Sequence, residues 1–194
     1  MKRYLFPLFL ALLLAGCTRS DSGQANVRWE NLMQNPLYAD QYWLDMVNRM
    51  VEMQLQEPDL AKNKTLLATV DEVRRNALLR EQAEARKRRE GKEGSFIQVK
   101  EFTEGRALLR GTTLSFSPTF STVPGPNLRI YLSPSLDPRD AAFPDTGSLN
   151  VGRLESPYGA QEYLLSEETD TKPFRTVVLY DPKLERLYGF AQLQ

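Results

Sequence analysis

Between Gly91 and Ser95 the chain changes character, and that change constrains its fold more than any other feature. Before it, apolar residues recur at helical spacing. After it, short apolar alternations are broken repeatedly by Pro and Gly. A helix-period pattern does not settle as a strand, so the two halves must be built from different elements. The expected class is α+β, with an N-terminal helical hairpin segment over 29–94 followed by an antiparallel β-sandwich over 95–194.

In the helical half, Asn35-Pro36 has the form of a helix start: Asn caps, and Pro takes the first helical position, where its missing N–H costs nothing. Trp43, Val47, Met50 and Val51 follow at helical spacing, and Tyr38 and Tyr42 stand one turn apart. With Trp43 these tyrosines either pack against neighbouring elements or form an aromatic surface for a ligand or partner. Glu57-Pro58-Asp59 breaks the pattern, and a second run over 60–89 carries Leu66, Leu67, Val70, Val73, Ala77 and Leu78 on one face. Two amphipathic helices joined by a short turn predict a hairpin. Beyond Leu79 the stripe gives way to charge, which predicts a helix end solvated on all sides. Its Arg86-Lys87-Arg88-Arg89 run either complements the helix dipole or touches anionic lipid. In the second half, strands are expected over 96–99, 106–116, 128–132, 148–154, 161–165, 174–180 and 186–193.

The N-terminus has its own pattern. Lys2 and Arg3 give a basic start, residues 4–14 form an apolar run too short to span a bilayer comfortably, and small residues lead to Cys17. That order resembles a bacterial lipoprotein signal. The resemblance implies cleavage before Cys17, leaving 1–16 as signal peptide, with a diacylglycerol thioether on the cysteine and an acylated amino group. Several acyl chains make a stable anchor, at about 0.8 kcal/mol for each buried CH₂. Residues 17–28 are then the lipidated cysteine and a flexible tether. Thr18, in place of a retaining Asp, implies the outer membrane facing the periplasm if the source has two membranes. With one membrane, the outer face of the cell membrane is implied.

Composition narrows the chemistry. Loss of Lys2 and Arg3 from the 25 basic residues leaves 23 against 25 acidic ones, so the mature chain carries a net −2 and lacks the basic surface of a nucleic-acid binder. There is no histidine, which excludes Ser-His and Cys-His catalysis and the commonest zinc sites. Cys17 is the only cysteine, and once lipidated it leaves no thiol for a disulfide, a thiolate metal site or redox exchange. Asp137, Asp140 and Asp145 lack the spacing of a calcium loop, and Glu167, Glu168 and Asp170 give no positive sign of a carboxylate hydrolase. A non-enzymatic protein is expected, with no metal site and no cofactor of its own.

The stretch Gly125-Pro126-Asn127-Leu128-Arg129-Ile130-Tyr131-Leu132-Ser133 is similar to the Gly-Pro-Asp-Leu-x-Val-Tyr-Leu-Ser of the DM-thirteen, or electron-transfer DM, family. Gly152-x-Leu154, Gly159-x-Gln161-x-Tyr163 and Leu187-Tyr188-Gly189-Phe190-Ala191-x-Leu193 also fit, so the resemblance covers about 96–193 and leaves the helical segment outside. It implies a β-sandwich related to the DOMON redox modules. The family's Tyr-x-Ser-Val-x-Ile-Trp-Cys corresponds to residues 174–181, which places Asp181 where the family has its cysteine, the basis of its redox proposal. A carboxylate cannot shuttle electrons through sulfur. Asn127 replaces an Asp and loses a charge.

Independently of the family, Pro124 and Pro126 fix two φ angles with a free glycine between them. Such a defined loop either holds a ligand or closes the end of a sandwich. Gly125, Pro126, Asn127, Tyr131, Tyr180 and Asp181 form the candidate ligand-binding set. Two readings follow. One is an envelope lipoprotein, held to the membrane through lipid on Cys17, whose sandwich binds an envelope protein partner or small ligand. The other is an electron-transfer module working through a bound cofactor, with Met46, Met50 and Met53 as ligands to consider.

Overall fold

The computed structural model describes residues 22–140 and 142–194. Residues 1–21, which hold the expected signal peptide and Cys17, lie outside the described residues. Helix α1 occupies Ser22–Gln34, so residues 22–28, expected as tether, are helical. The polar sequence hid this because the support is tertiary: Trp29 stands edge-on to Tyr38 and Tyr42 of the next helix, with ring centroids 6.3 and 4.7 Å away.

Asn35 opens α2 (Pro36–Gln56) as its sequence predicts, its Oδ1 accepting from the backbone N–H of Leu37 at 3.0 Å and of Tyr38 at 3.3 Å. The same side chain also faces the strands. Its Nδ2 donates to the carbonyls of Phe116 at 2.9 Å and Gln161 at 3.3 Å, which pins the helix start to two strands of the sheet. Only 2% of Asn35 is exposed. After a 3-10 turn at Leu60–Lys62, Asn63 caps α3 (Lys64–Arg89) by accepting from the N–H of Leu66. Arg88 meets Asp40, Arg80 lies over Trp43, and Gln54 donates to Asp71. These pairs run in opposite order along the two chains, so α2 and α3 lie antiparallel.

The charged end of α3 is not solvated on all sides. Arg88 is held between Asp40 of α2 and Glu93, and Glu93 also takes Arg106 at 3.0 Å. Burial pulls the Arg88 guanidinium down, but Glu93 and Asp40 outweigh it, and its pKa lies above the usual value. The helix sequence alone could not show this, because Asp40 comes from the other helix and Glu93 from a strand.

The strands are β1 (Lys92–Gln98), β2 (Thr103–Glu104), β3 (Arg106–Arg110), β4 (Thr113–Phe116), β5 (Ser121–Thr122), β6 (Arg129–Ser133), β7 (Leu149–Arg153), β8 (Gln161–Leu164), β9 (Thr176–Asp181) and β10 (Arg186–Gln192). Eight form one continuous antiparallel sheet, ordered β7-β6-β9-β10-β1-β3-β4-β8, while β2 and β5 pair separately. The curl turns on β1. Its first half pairs with β3, its second half pairs with β10, and Glu93 and Gln194 exchange both backbone hydrogen bonds. The sheet therefore bends round a core that includes Leu109, Phe116, Phe120, Ile130, Val177 and Leu179.

β9 is buried at all six positions. Val177 and Leu179 enter that core, while Val178 and Tyr180 join Tyr131 and Phe190 in a second cluster on the other face of the sheet. Double burial explains why Thr176-Val177-Val178-Leu179-Tyr180 reads as a nearly continuous apolar run rather than an alternation.

Candidate functional site

The two faces of β9 divide the candidate residues. Asp181 ends the strand in step with Val177 and Leu179 and is fully buried. Its Oδ2 accepts from the backbone N–H of Asn127 at 2.8 Å, and its Oδ1 accepts from the N–H groups of Lys183 at 2.9 Å and Leu184 at 3.2 Å. Three backbone donors thus satisfy the carboxylate and fasten the 123–127 loop to the turn between β9 and β10. The three hydrogen bonds that Asp181 accepts all serve architecture.

Gly125 sits against this clasp. A Cβ on it would lie 2.7 Å from both Asp181 Oδ2 and the Tyr188 hydroxyl. The sequence points to the conformational freedom of Gly125. The structure shows that empty space is what the position requires. Burial pushes the Tyr188 phenol up, and the Asp181 carboxylate pushes it further, so the hydroxyl keeps its proton beside the loop.

A groove of about 480 Å³ opens next to Gly125, lined by Pro124, Leu128, Arg153, Leu154, Glu155 and Pro157. Leu128 is the buried part of its lining, and the exposed Arg153 and Glu155 add one cation and one anion. Such a lining suits an organic molecule or a short protein segment with both apolar and polar parts. Of the six predicted site residues, Gly125 alone lines this groove. Asn127 stands behind it as a partner of Asp181, with its side-chain oxygen accepting from Arg129 at 3.3 Å, and Pro126 is exposed.

Tyr131 and Tyr180 are not brought to the groove. They lie in the second cluster, 6.2 Å apart by ring centroid, with Phe143 5.4 Å from Tyr131 and 5.2 Å from Tyr180. Strand alternation sends them to that face, a separation that a set assembled from motif positions does not contain. Arg153 and Glu155 carried no distinguishing sequence signal. They arrive from the end of β7 and the segment after it, and only the fold places them opposite the 123–127 loop. Met46, Met50 and Met53 are half-buried on α2, away from the groove. Among the described residues, no group of three or more His, Cys, Asp or Glu is placed to hold a metal ion.

Residues 95–193 match the family described as Electron transfer DM13 and so account for 99 of the 194 residues. The chain belongs to the electron transfer DM13 family. No curated protein and no solved structure matches it. The DM13 domain begins within β1, ends just after β10 and excludes all three helices, in keeping with the resemblance carried by 125–133 and 187–193. It contains the clasp and the groove, and it has no cysteine. None of the described helices is long and apolar enough to cross a membrane.

Proposed function

We propose that this protein is a lipid-anchored envelope member of the DM13 family that serves electron transfer by binding, with the redox-active group carried by a small ligand or partner seated in the groove beside the 123–127 loop. The anchor is the lipid on Cys17. In a two-membrane cell the domain faces the periplasm from the outer membrane. The sheet halves on either side of β1 pack sandwich-fashion, and the protein is not itself an enzyme.

The observation that carries this reading is the buried clasp. The domain has no thiol, and the carboxylate of Asp181 has both oxygens engaged by backbone donors, so this position does not supply a redox group from its own side chain. What it supplies is a rigid wall. The loop that Asp181 holds also forms one side of the groove, whose mixed lining fits an organic group better than a directly ligated metal.

The test begins with mature protein purified in detergent from its own organism. An ultraviolet-visible spectrum with elemental analysis reads any bound group, and a photo-crosslinking residue in place of Arg153 reads a partner. Visible absorption lost in Leu154→Trp, or a crosslink formed through position 153, supports the reading. A colourless protein that forms no such crosslink in the envelope overturns it. Cys17→Ser tests the anchor separately, because the variant should move from the membrane fraction to the soluble one.

A further inference from the structure

A row of aromatic and cationic side chains crosses all three helices, outside both the DM13 domain and its groove. Trp29 of α1 stands edge-on to Tyr42 of α2 at 4.7 Å, Tyr42 stands edge-on to Trp43 at 4.8 Å, and the Arg80 guanidinium of α3 lies over Trp43 at 4.7 Å. Trp29 is 40% exposed, Tyr42 and Trp43 are half-buried, and Arg80 and Arg28 are exposed. Tryptophan and tyrosine combine an apolar body with a polar edge, and arginine pairs readily with phosphate. These residue types settle at the boundary between lipid and water.

The chain itself limits how far this row can stand from a lipid on Cys17. Residues 18–21 are all that separate the cysteine from Ser22, where α1 begins. Fully extended, that link reaches no more than roughly 18 Å. The helical path from Ser22 to Trp29 adds about 10 Å. Trp29 is therefore confined to within about 28 Å of the anchor, less than the thickness of a bilayer with its head groups.

We propose that the Trp29–Tyr42–Trp43–Arg80 face lies on the head-group layer of the membrane, with Trp29 at the level of the lipid glycerols and Arg28 and Arg80 against phosphates. This deepens the anchored reading and rests on it. The lipid supplies affinity, and the face supplies orientation, directing the DM13 domain away from the bilayer on a short stem.

The sequence offers its own probes, since Cys17 is the only thiol and Trp29 and Trp43 are the only tryptophans. Unlipidated mature chain carrying Trp43→Phe is coupled through Cys17 to a maleimide lipid in phosphatidylcholine–phosphatidylglycerol vesicles, so that Trp29 alone reports. Its emission should move to shorter wavelength and fall about twofold when the vesicle lipids are brominated in their acyl chains. Equal emission on brominated and plain lipid overturns the proposal. If Trp43→Phe disturbs the helices, the same comparison is made on the unaltered chain against Trp29→Phe, and quenching that survives loss of Trp29 counts against the proposal equally. The chemical tether does not depend on natural acylation. Quenching here alongside a Cys17→Ser variant that stays membrane-bound in cells would fault the anchor and leave the face standing, and the converse would fault the face alone.

Discussion

At the scale of single residues, Asn35 and Gly125 show how much can depend on one side chain or on its absence. Asn35→Ala removes a helix cap, worth about 1 kcal/mol, and leaves two buried carbonyls without their donor, so a loss of roughly 2–4 kcal/mol is expected in urea unfolding. Asn35→Asp keeps the cap but turns an oxygen toward those carbonyls. It should be at least as damaging at neutral pH and partly relieved in acid, when the introduced carboxyl gains a proton. Gly125→Ala drives a methyl into Asp181 and Tyr188, at an expected cost of about 1–3 kcal/mol. Because removal of the phenol oxygen clears half of that clash, Gly125→Ala should cost less in a Tyr188→Phe background, which a double-mutant cycle would read. Tyr163 adds a pH dependence. Burial raises its pKa to about 12, against the partial opposition of the Glu155 N–H that bonds its oxygen. The unfolded chain releases this proton near pH 10 while the folded chain keeps it. Stability should therefore be full below about pH 10 and decline toward pH 12, by up to about 2 kcal/mol, and this part of the decline should vanish in Tyr163→Phe.

At the scale of elements, the contacts between helices and sheet were the least legible part of the sequence. Most strands were readable because their apolar runs and turn residues are local: 128–132, 161–165 and 186–193 coincide with β6, β8 and β10 to within a residue or so, whereas the run expected over 106–116 is two paired strands, β3 and β4, turned at Gly111, and β1 begins at Lys92, inside the segment expected to be helical. The start of α2 was readable for the same reason, as Asn35-Pro36 carries its signal in two adjacent residues. Helix α1 was not, since Trp29 gains its partners from α2. Nor was the role of Arg88, whose neighbours in sequence are also charged but whose partners come from 48 residues before it and five after. Arg88→Gln should lower the melting temperature clearly, because it strands the buried Asp40 and leaves Glu93 with Arg106 alone, at an expected cost of about 2–3 kcal/mol. Arg89→Gln, one residue on and exposed, should change it little. The candidate site was legible in the same partial way. Motif positions pointed to Gly125 and Asp181 as ligand-binding residues, but the clasp that Asp181 makes with backbone N–H groups and the groove's far wall depend on where β7 and the 123–127 loop meet in space.

At the scale of the whole molecule, helices and sheet share buried polar contacts at Asn35 and at the Asp40–Arg88–Glu93–Arg106 network, so neither half presents a finished surface to the other's absence. Calorimetry on the chain from Ser22 onward should show one cooperative transition, and Arg88→Gln should lower it as a unit rather than split off a helical phase. A separate early transition for the helices would show that these contacts do not couple the halves. The DM13 boundary thus marks the extent of a family and not of a folding unit, since two of the residues that secure the sheet lie before residue 95.

The sharing of β1 between the two halves of the sheet has a genealogical consequence. The strand that opens the domain is zipped to the strand that closes it, and Glu93 and Gln194 exchange hydrogen bonds at that seam. Entrance and exit therefore sit side by side, like the two ends of a clasped bracelet. A host chain that took up this domain would meet both of its ends at one point, and would have to take the helices that secure the sheet along with it.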